Sequence, residues 1–217
     1  MPTGRLVRIG VFYDGSYFQQ ITNHYRYAHD VGRRIDLGGL HAFLRWCVSR
    51  IERSEVKLCQ IVEAHYFRGR FTLSDLDDKA ERDDNPAFVE DFLRGERMFD
   101  QVLAQNNVQA HYLRVDTRQD PPREKGVDVA LSLEALDTAI HRSLDWVVLI
   151  SPDADYVPLL RKLAAIGART LLLAWEAPGK TVVSRALLAE ATETVPLHRL
   201  VEEGLGEYDI DGIFLPE

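Results

Sequence analysis

The stretch that decides the fold is WVVLISPDADY, residues 146–156. Its first five residues are continuously apolar, which is typical of a parallel strand covered on both faces. Pro152 ends the strand and favours an extended conformation at Ser151. Asp153 and Asp155 follow at once. In open α/β sheets ligands bind beyond the carboxyl ends of the strands, so this stretch indicates a parallel sheet with a polar site at its edge.

Outward from this stretch, strand-like and helical segments alternate along the chain. The predicted strands are Leu6–Tyr13, Lys57–Phe67, Val108–Val115, Trp146–Ser151 and Arg169–Trp175. The predicted helices are Leu37–Glu52, Glu96–Asn106, Gly126–His141, Tyr156–Ile166 and Thr181–Ala189, the last one after a turn at Pro178-Gly179. Such alternation with right-handed crossovers gives a doubly wound sheet. The sequence therefore predicts one three-layer α/β domain, with a central, mostly parallel five-stranded sheet flanked by helices.

Two stretches fall outside this alternation. Residues 68–92 carry two acidic runs, 74–78 and 83–86, and are predicted to be a surface insertion: either a flap that is partly helical, or a solvated acidic loop without a role. Residues 201–217 form a C-terminal tail after a domain that spans residues 1–200. Its Ile213, Phe214 and Leu215 could dock on the body of the domain or on a second subunit, which leaves a homodimer as one alternative.

Composition limits the class of protein. The chain has 217 residues, 46% of them hydrophobic, which suffices for a substantial core. Its apolar runs are strand-sized and its N-terminus lacks a signal-peptide pattern, so no membrane association is predicted. Cys47 and Cys59 show no metal-ligand spacing and indicate reduced, buried thiols, which favours the cytoplasm. The net charge of −8 counts against non-specific attraction to nucleic acid, unless basic patches or a bound cation overcome it.

Four aspartates are predicted to meet at the carboxyl edge of the sheet. Asp14 follows the first strand, Asp153 and Asp155 follow the fourth, and Asp128 lies in the first turn of a helix. Each one alone has a structural explanation: Asp14 and Asp155 could cap helices, and Asp128 suits a helix dipole. Capping does not explain Asp153 and Asp155 together, since only one residue can be the cap.

Carboxylates gathered at one edge would repel one another and raise the pKa of at least one of them, unless a cation is present. Mg²⁺ or Mn²⁺, hard ions that prefer oxygen ligands, suit such a site. An ion of this kind can activate water and neutralise charge as a P–O bond breaks. The pattern thus predicts metal-assisted phosphodiester hydrolysis, with four residues as metal ligands and catalytic groups: Asp14, Asp128, Asp153 and Asp155.

At these positions the sequence resembles the NYN domains of the PIN-like nuclease superfamily. The resemblance rests on FYDG at residues 12–15, KGVDV at 125–129 and SPDADY at 151–156, and it covers roughly residues 5–175. It implies a PIN-like fold, Mg²⁺- or Mn²⁺-dependent ribonuclease activity, and metal-coordinating acids at the same four aspartates. The chain departs from the usual family motifs at Tyr17, Pro152 and Ala154, where the family usually has Asn, Gly and Ser.

Basic and aromatic residues near these motifs are candidates for holding single-stranded RNA. Lys125 and Arg123 precede Asp128 and carry charges that suit phosphate. Tyr17 could stack on a base, or it could pack in the core, as could Phe18 and Tyr156. Three further arginines are more simply explained as solvated loop residues: Arg68, Arg70 and Arg118.

The leading hypothesis is a metal-dependent endoribonuclease. The alternative is a catalytically weak PIN-like module that binds RNA or a protein partner, which the motif departures and the negative net charge favour. A phosphatase of small phosphoesters is disfavoured, because Ser16 stands where an aspartyl-phosphate enzyme would have its second aspartate.

Overall fold

The computed structural model describes residues 4–82, 87–118, 121–177, 181–204 and 207–216. The strands are β1 (Val7–Asp14), β2 (Cys59–Arg70), β3 (Gln109–Asp116), β4 (Arg123–Glu124), β5 (Trp146–Ile150), β6 (Arg169–Ala174) and β7 (Glu193–Pro196). The helices are α1 (Gly15–Tyr27), α2 (Leu37–Glu52), α3 (Leu73–Arg82), α4 (Ala87–Gln105), α5 (Val127–His141), α6 (Val157–Ala165), α7 (Arg185–Glu190) and α8 (Leu197–Glu203). Short 3₁₀ helices occur at Val56–Leu58, Ala154–Tyr156 and Ile210–Ile213.

Within the described residues the strands form one sheet in the order β4-β3-β2-β1-β5-β6-β7. All neighbours are parallel except β4, which pairs antiparallel with β3. The predicted mostly parallel α/β fold is confirmed, but the predicted number of five strands is wrong. The two additional strands, β4 and β7, lie at the edges and have two and four residues. Segments this short carry too few residues to show an alternating apolar pattern.

The sheet separates two apolar clusters, which makes the domain three-layered. Val11 and Tyr13 of β1 belong to one cluster, which also contains residues of α1 and α2. Phe12, between them, belongs to the other cluster, with residues of α5 and α6. Side chains of a strand alternate between its two faces, so β1 supplies both clusters. In the described part of the chain, no helix is both long and apolar enough to span a membrane.

The chain changes direction across the sheet at β1. From β1 it builds β2, β3 and β4 towards one edge, and then it returns through α5 to place β5 on the other side of β1. Tyr13 of β1 lies opposite Ile150 of β5 in the parallel register. The carboxyl ends of these two strands are therefore neighbours at the point where strand order reverses, which is where doubly wound folds bind their ligands.

The stretch predicted as a surface insertion is largely regular structure. Residues 68–70 complete β2, and most of the rest is α3 and the beginning of α4; residues 83–86, with one of the two acidic runs, lie outside the described residues. Arg68 pairs with Glu96 of α4 at 2.6 Å, and Arg70 pairs with Glu96 at 2.8 Å and with Asp100 at 2.8 Å. These two arginines are thus not solvated loop residues, because they tie α4 to the end of β2.

The C-terminal tail docks on the body of its own chain. Ile213 and Phe214 are buried, and the N–H of Asp36 donates to the carbonyl oxygen of Ile213 at 2.8 Å. Gly39 permits the close approach, since a Cβ there would lie 2.0 Å from the carbonyl oxygen of Gly212. Of the two docking alternatives left by the sequence, the structure shows the one within the chain.

Candidate active site at the carboxyl edge of the sheet

Asp14 is the centre of the candidate site, at the end of β1 and the start of α1. Its Oδ1 accepts a hydrogen bond from the N–H of Tyr17 at 3.3 Å, which caps α1. The glycine that follows is required by space: a Cβ at Gly15 would lie 2.6 Å from the ring of Tyr66 and 2.7 Å from the carbonyl oxygen of Phe67. The first residue of α1 is therefore in close contact with β2, and the carboxylate of Asp14 is held at the sheet edge.

Ser151 connects the ends of β1 and β5. It is buried, and its Oγ donates to Oδ2 of Asp14 at 3.1 Å. The same Oγ accepts from the N–H of Asp153 at 3.3 Å. Asp153 in turn caps the following 3₁₀ helix, with its Oδ1 accepting from the N–H of Asp155 at 3.0 Å. The cap in this turn is thus Asp153, and the exposed Asp155 is the carboxylate left over from capping.

Negative charges converge on this edge. Burial raises the pKa of Asp14 above its usual value of 3.8, and the charges of Glu124 and Asp153 raise it further, while its hydrogen bonds to Tyr17 and Ser151 lower it. Burial also raises the pKa of the nearby Tyr156 hydroxyl, as do the charges of three of the predicted aspartates: Asp14, Asp128 and Asp153. These three therefore share one neighbourhood, and Asp155 is not among the charges that act on Asp14 or Tyr156.

Glu124 is an acidic residue of the site that the sequence analysis did not select. Its Oε2 accepts from the hydroxyl of Ser16 at 2.8 Å, and its Oε1 accepts from the N–H of Gly69 at 2.9 Å. The antiparallel pairing of β4 with β3, with Glu124 opposite Val115, turns it towards α1. The only sequence signal is its place directly before the KGVDV motif, because a two-residue strand cannot be read from composition.

The predicted substrate-binding residues have different surroundings. The ammonium of Lys125 lies 2.5 Å from Oδ2 of Asp116, and Arg118 pairs with the same carboxylate at 2.8 Å. These hydrogen bonds, first that of Arg118 and then that of Lys125, hold the pKa of Asp116 well below its usual range. Arg123 is exposed, and no ion pair within the described residues involves it.

The aromatic candidates are core residues. Tyr17 is 2% exposed, and its hydroxyl donates to the carbonyl oxygen of Trp175 at 2.6 Å and accepts from the N–H of Trp175 at 2.8 Å. Phe18 and Tyr156 are buried as well. Of the two roles that the sequence leaves open for these rings, the structure shows packing in the core, so Tyr17 offers no exposed face to a base.

The donors suit a hard cation in their chemistry. Among residues that the structure describes, no three His, Cys, Asp or Glu side chains are arranged to hold a metal ion together. Mg²⁺, however, usually keeps several waters and binds through one or two carboxylates and the phosphates of a substrate. Asp14 is a half-buried carboxylate near other negative charges, and in the described part of the chain no Lys or Arg pairs with it. Such a carboxylate fits a partly hydrated divalent ion.

Comparisons with known proteins identify the family and the fold of the chain. The model of the NYN domain family matches residues 8–198. A solved structure of a protein of unknown function from Vibrio parahaemolyticus has a TM-score of 0.56 at 17% sequence identity, over 99% of this chain and 100% of that chain. That similarity shows a shared fold alone. No curated protein matches the chain. The family match covers most of the sequence and all three motifs at the sheet edge, and the chain therefore belongs to the NYN domain family.

Proposed function

We propose that this protein is a divalent-metal-dependent ribonuclease that hydrolyses phosphodiester bonds of single-stranded RNA at the acidic sheet edge. The observation that carries the proposal is the half-buried carboxylate of Asp14 at the reversal point of strand order, where the charges of Glu124 and Asp153 also act. A buried charge without a cationic partner is costly, and a bound cation relieves that cost. Membership of the NYN family points to the PIN-like nucleases and supports the same reading.

Each residue of the site has a role in this proposal. Asp14, Asp128, Asp153 and Asp155 would hold Mg²⁺ or Mn²⁺, and Glu124 would add to the negative charge that attracts the ion. The ion, once bound, supplies water activation and charge neutralisation at phosphorus. Ser151 keeps the carboxylate of Asp14 oriented through its hydrogen bond, and the exposed Arg123 can contact an RNA phosphate.

The direct test is cleavage of an end-labelled single-stranded RNA with Mn²⁺ and with EDTA. We expect cleavage with Mn²⁺ alone, and we expect Asp14→Asn, Asp128→Asn and Asp153→Asn each to lower the rate about 100-fold or more. Even residues that only orient metal ligands are worth about 10- to 100-fold. Full activity in these variants would overturn the proposal.

A matched control is Asp36→Asn. Asp36 caps α2 by accepting from the N–H of Gly39 at 2.7 Å, so it shares the capping role of Asp14 but lies outside the acidic site. This variant should cleave RNA at the wild-type rate. If it loses as much activity as Asp14→Asn, the loss reports on helix capping and not on the site.

A catalytically weak module that binds RNA or a protein partner is the second candidate. It is favoured by the absence, among the described residues, of three side chains arranged to hold a metal ion. RNA binding with no difference in cleavage between Mn²⁺ and EDTA would select this candidate over the ribonuclease.

A further inference from the structure

A cavity of about 640 Å³ lies directly beside the acidic site, between α1, the end of β2, α4 and β4. Volumes of about 300–1,000 Å³ are usual for small-molecule sites. The residues on which the argument depends are Ser16, Gln19, Phe71, Phe92, Arg123 and Glu124. Ser16 and Glu124 are hydrogen-bonded to each other, and the charge of Glu124 acts on Asp14. The cavity and the acidic site therefore share a wall.

Two phenylalanine rings line this cavity. Phe71 follows β2 and Phe92 lies on α4, with ring centroids 6.4 Å apart and planes at 74°. Both rings are partly exposed, whereas Phe12 and Phe67 of the neighbouring strands are buried. Proteins that bind single-stranded nucleic acids use accessible aromatic rings of this kind to stack with the bases.

The charges around the cavity balance. Arg68 and Glu96, both in the lining, form an ion pair at 2.6 Å, and their side chains are 8% and 12% exposed. The other two charged residues of the lining, Arg123 and Glu124, have opposite signs. A balanced cavity with aromatic walls and the amide of Gln19 suits an uncharged, flat, hydrogen-bonding group better than it suits a phosphate.

We infer that this cavity binds one nucleobase of the RNA strand, stacked on the ring of Phe92 with the ring of Phe71 against its edge, and so places a neighbouring phosphate at the acidic site. The inference rests on the proposed function, since it names the part of the substrate that the same site would hold. Arg123, an exposed residue of the cavity lining, would contact the backbone next to the bound base.

The test measures binding apart from cleavage. A fluorescently labelled single-stranded RNA hexamer is titrated with the full-length protein in EDTA at low salt, with anisotropy as the signal. Phe92→Ala should raise the Kd about 5- to 150-fold, the usual worth of one base stacked on an aromatic ring. Phe71→Ala removes only the edge contact and should raise the Kd about two- to tenfold. Phe92→Tyr keeps a ring and should bind within about threefold of the wild type. Thermal unfolding of each variant checks that it is folded.

Matched controls lie beside the two rings. Leu73 and Met98 are 60% and 59% exposed and do not line the cavity, so Leu73→Ala and Met98→Ala should leave the Kd unchanged. A series of hexamers, each with one abasic position, completes a double-mutant cycle. Loss of the base that the cavity binds should raise the Kd of the wild type, but it should not raise the Kd of Phe92→Ala any further.

Each outcome decides the inference. Equal Kd values for the wild type and both alanine variants would overturn it, as would the absence of saturable binding by the wild type. Loss of the abasic effect in Phe92→Ala would support it. Cleavage that needs Mn²⁺ and Asp14, with no effect of the phenylalanine variants on binding, would remove the base site and leave the proposed ribonuclease standing.

Discussion

At the scale of single residues, Asp14 combines a structural role with an unfavourable charge. Its carboxylate caps α1, yet burial and the charges of Glu124 and Asp153 raise its pKa. Because the folded protein binds this proton more tightly than the unfolded chain does, the free energy of unfolding falls as the pH rises above 3.8. It stays lowered once the pH has passed the pKa of the folded state. Asp14 is thus retained at a cost to stability at neutral pH.

Asp14→Asn is expected to stabilise the protein at pH 7. Asparagine caps a helix about as well as aspartate, and it removes the buried charge. The free energy of unfolding in urea should rise by about 0.5–2 kcal/mol, the usual gain of a single stabilising change. The gain should shrink as the pH falls towards 3.8, since the wild-type carboxyl then takes up its proton.

The control for this change is Asp36→Asn, at the cap of α2. It exchanges the same groups away from the acidic edge, and its stability should stay within about 0.5 kcal/mol of the wild type. An Asp14→Asn variant that is less stable than the wild type at pH 7 would contradict the account of a costly charge.

Some residues of the acidic edge could be predicted from the sequence, and others could not. Asp14, Asp128 and Asp153 follow predicted strands or open a predicted helix, and the structure brings their charges together near Tyr156. Glu124 was missed because its strand has two residues. Tyr17 lies next to the motif, but its environment depends on Trp175, which is 158 positions further along the chain. The pattern of neighbouring residues in the sequence cannot predict a contact between residues so far apart in the chain.

At the scale of elements, α4 is held to the sheet by charge. Glu96 accepts from Arg68 and Arg70 at the end of β2, and its side chain is largely buried. Removing one member of a buried ion pair leaves the other charge without compensation. The resulting loss of stability is larger than the net stabilisation that the intact pair provides. Glu96 is the more buried of the two carboxylates, Glu96 and Asp100, that attach α4 to β2, and so it helps to hold the wall that carries Phe92.

Glu96→Gln is expected to lower the free energy of unfolding by about 3 kcal/mol, because the buried Arg68 loses its charged partner and Arg70 keeps only Asp100. Asp91→Asn is the control on the same helix: Asp91 pairs with Arg94 at 2.5 Å, and both side chains are more than 60% exposed. An exposed pair is worth about 0–1 kcal/mol. Urea denaturation measures the free energy of unfolding of both variants. Equal decreases in the two variants would contradict the claim that burial makes the ion pairs of Glu96 more important for stability.

Element prediction succeeded where the apolar spacing was long and regular. The helix predicted at Leu37–Glu52 has those bounds in the structure, since its buried residues recur every three or four positions and Asp36 caps it. The acidic composition of residues 73–82 left two readings open, a partly helical flap and a solvated loop, and the structure has the helix α3 there, packed with α4. Tertiary packing thus outweighed the local composition. The short strand β7, at the edge beside β6, gave too little pattern to be recognised.

At the scale of the whole molecule, the net charge of −8 restricts how RNA can be bound. Lys125 and Arg118 near the site are already paired with Asp116, and Arg68 is paired with Glu96. In the proposed function, a bound cation therefore supplies the attraction to phosphate, and base stacking supplies the binding that remains at low salt when the cation is removed. The fold places the negative edge where it would attract that cation.

Divalent ions are expected to stabilise the folded protein through the acidic edge. A ligand that binds the folded state alone adds about 2.7 kcal/mol at 100 times its Kd. Mn²⁺ should therefore raise the thermal midpoint of the wild type, and it should raise that of Asp14→Asn and Asp153→Asn much less. Differential scanning calorimetry with Mn²⁺ and with EDTA measures this. Equal shifts in all three proteins would place the ion elsewhere.

The hydrogen bond between Ser151 and Asp14 joins residues 137 positions apart. During synthesis on the ribosome, the N-terminal half therefore emerges before β5 and before half of the acidic edge exists. A nascent chain at that stage has Asp14 but neither Ser151 nor Asp153 beside it. Any activity that needs both halves can arise only after translation has passed β5, so an N-terminal fragment that stops before Ser151 should be inactive however well it folds.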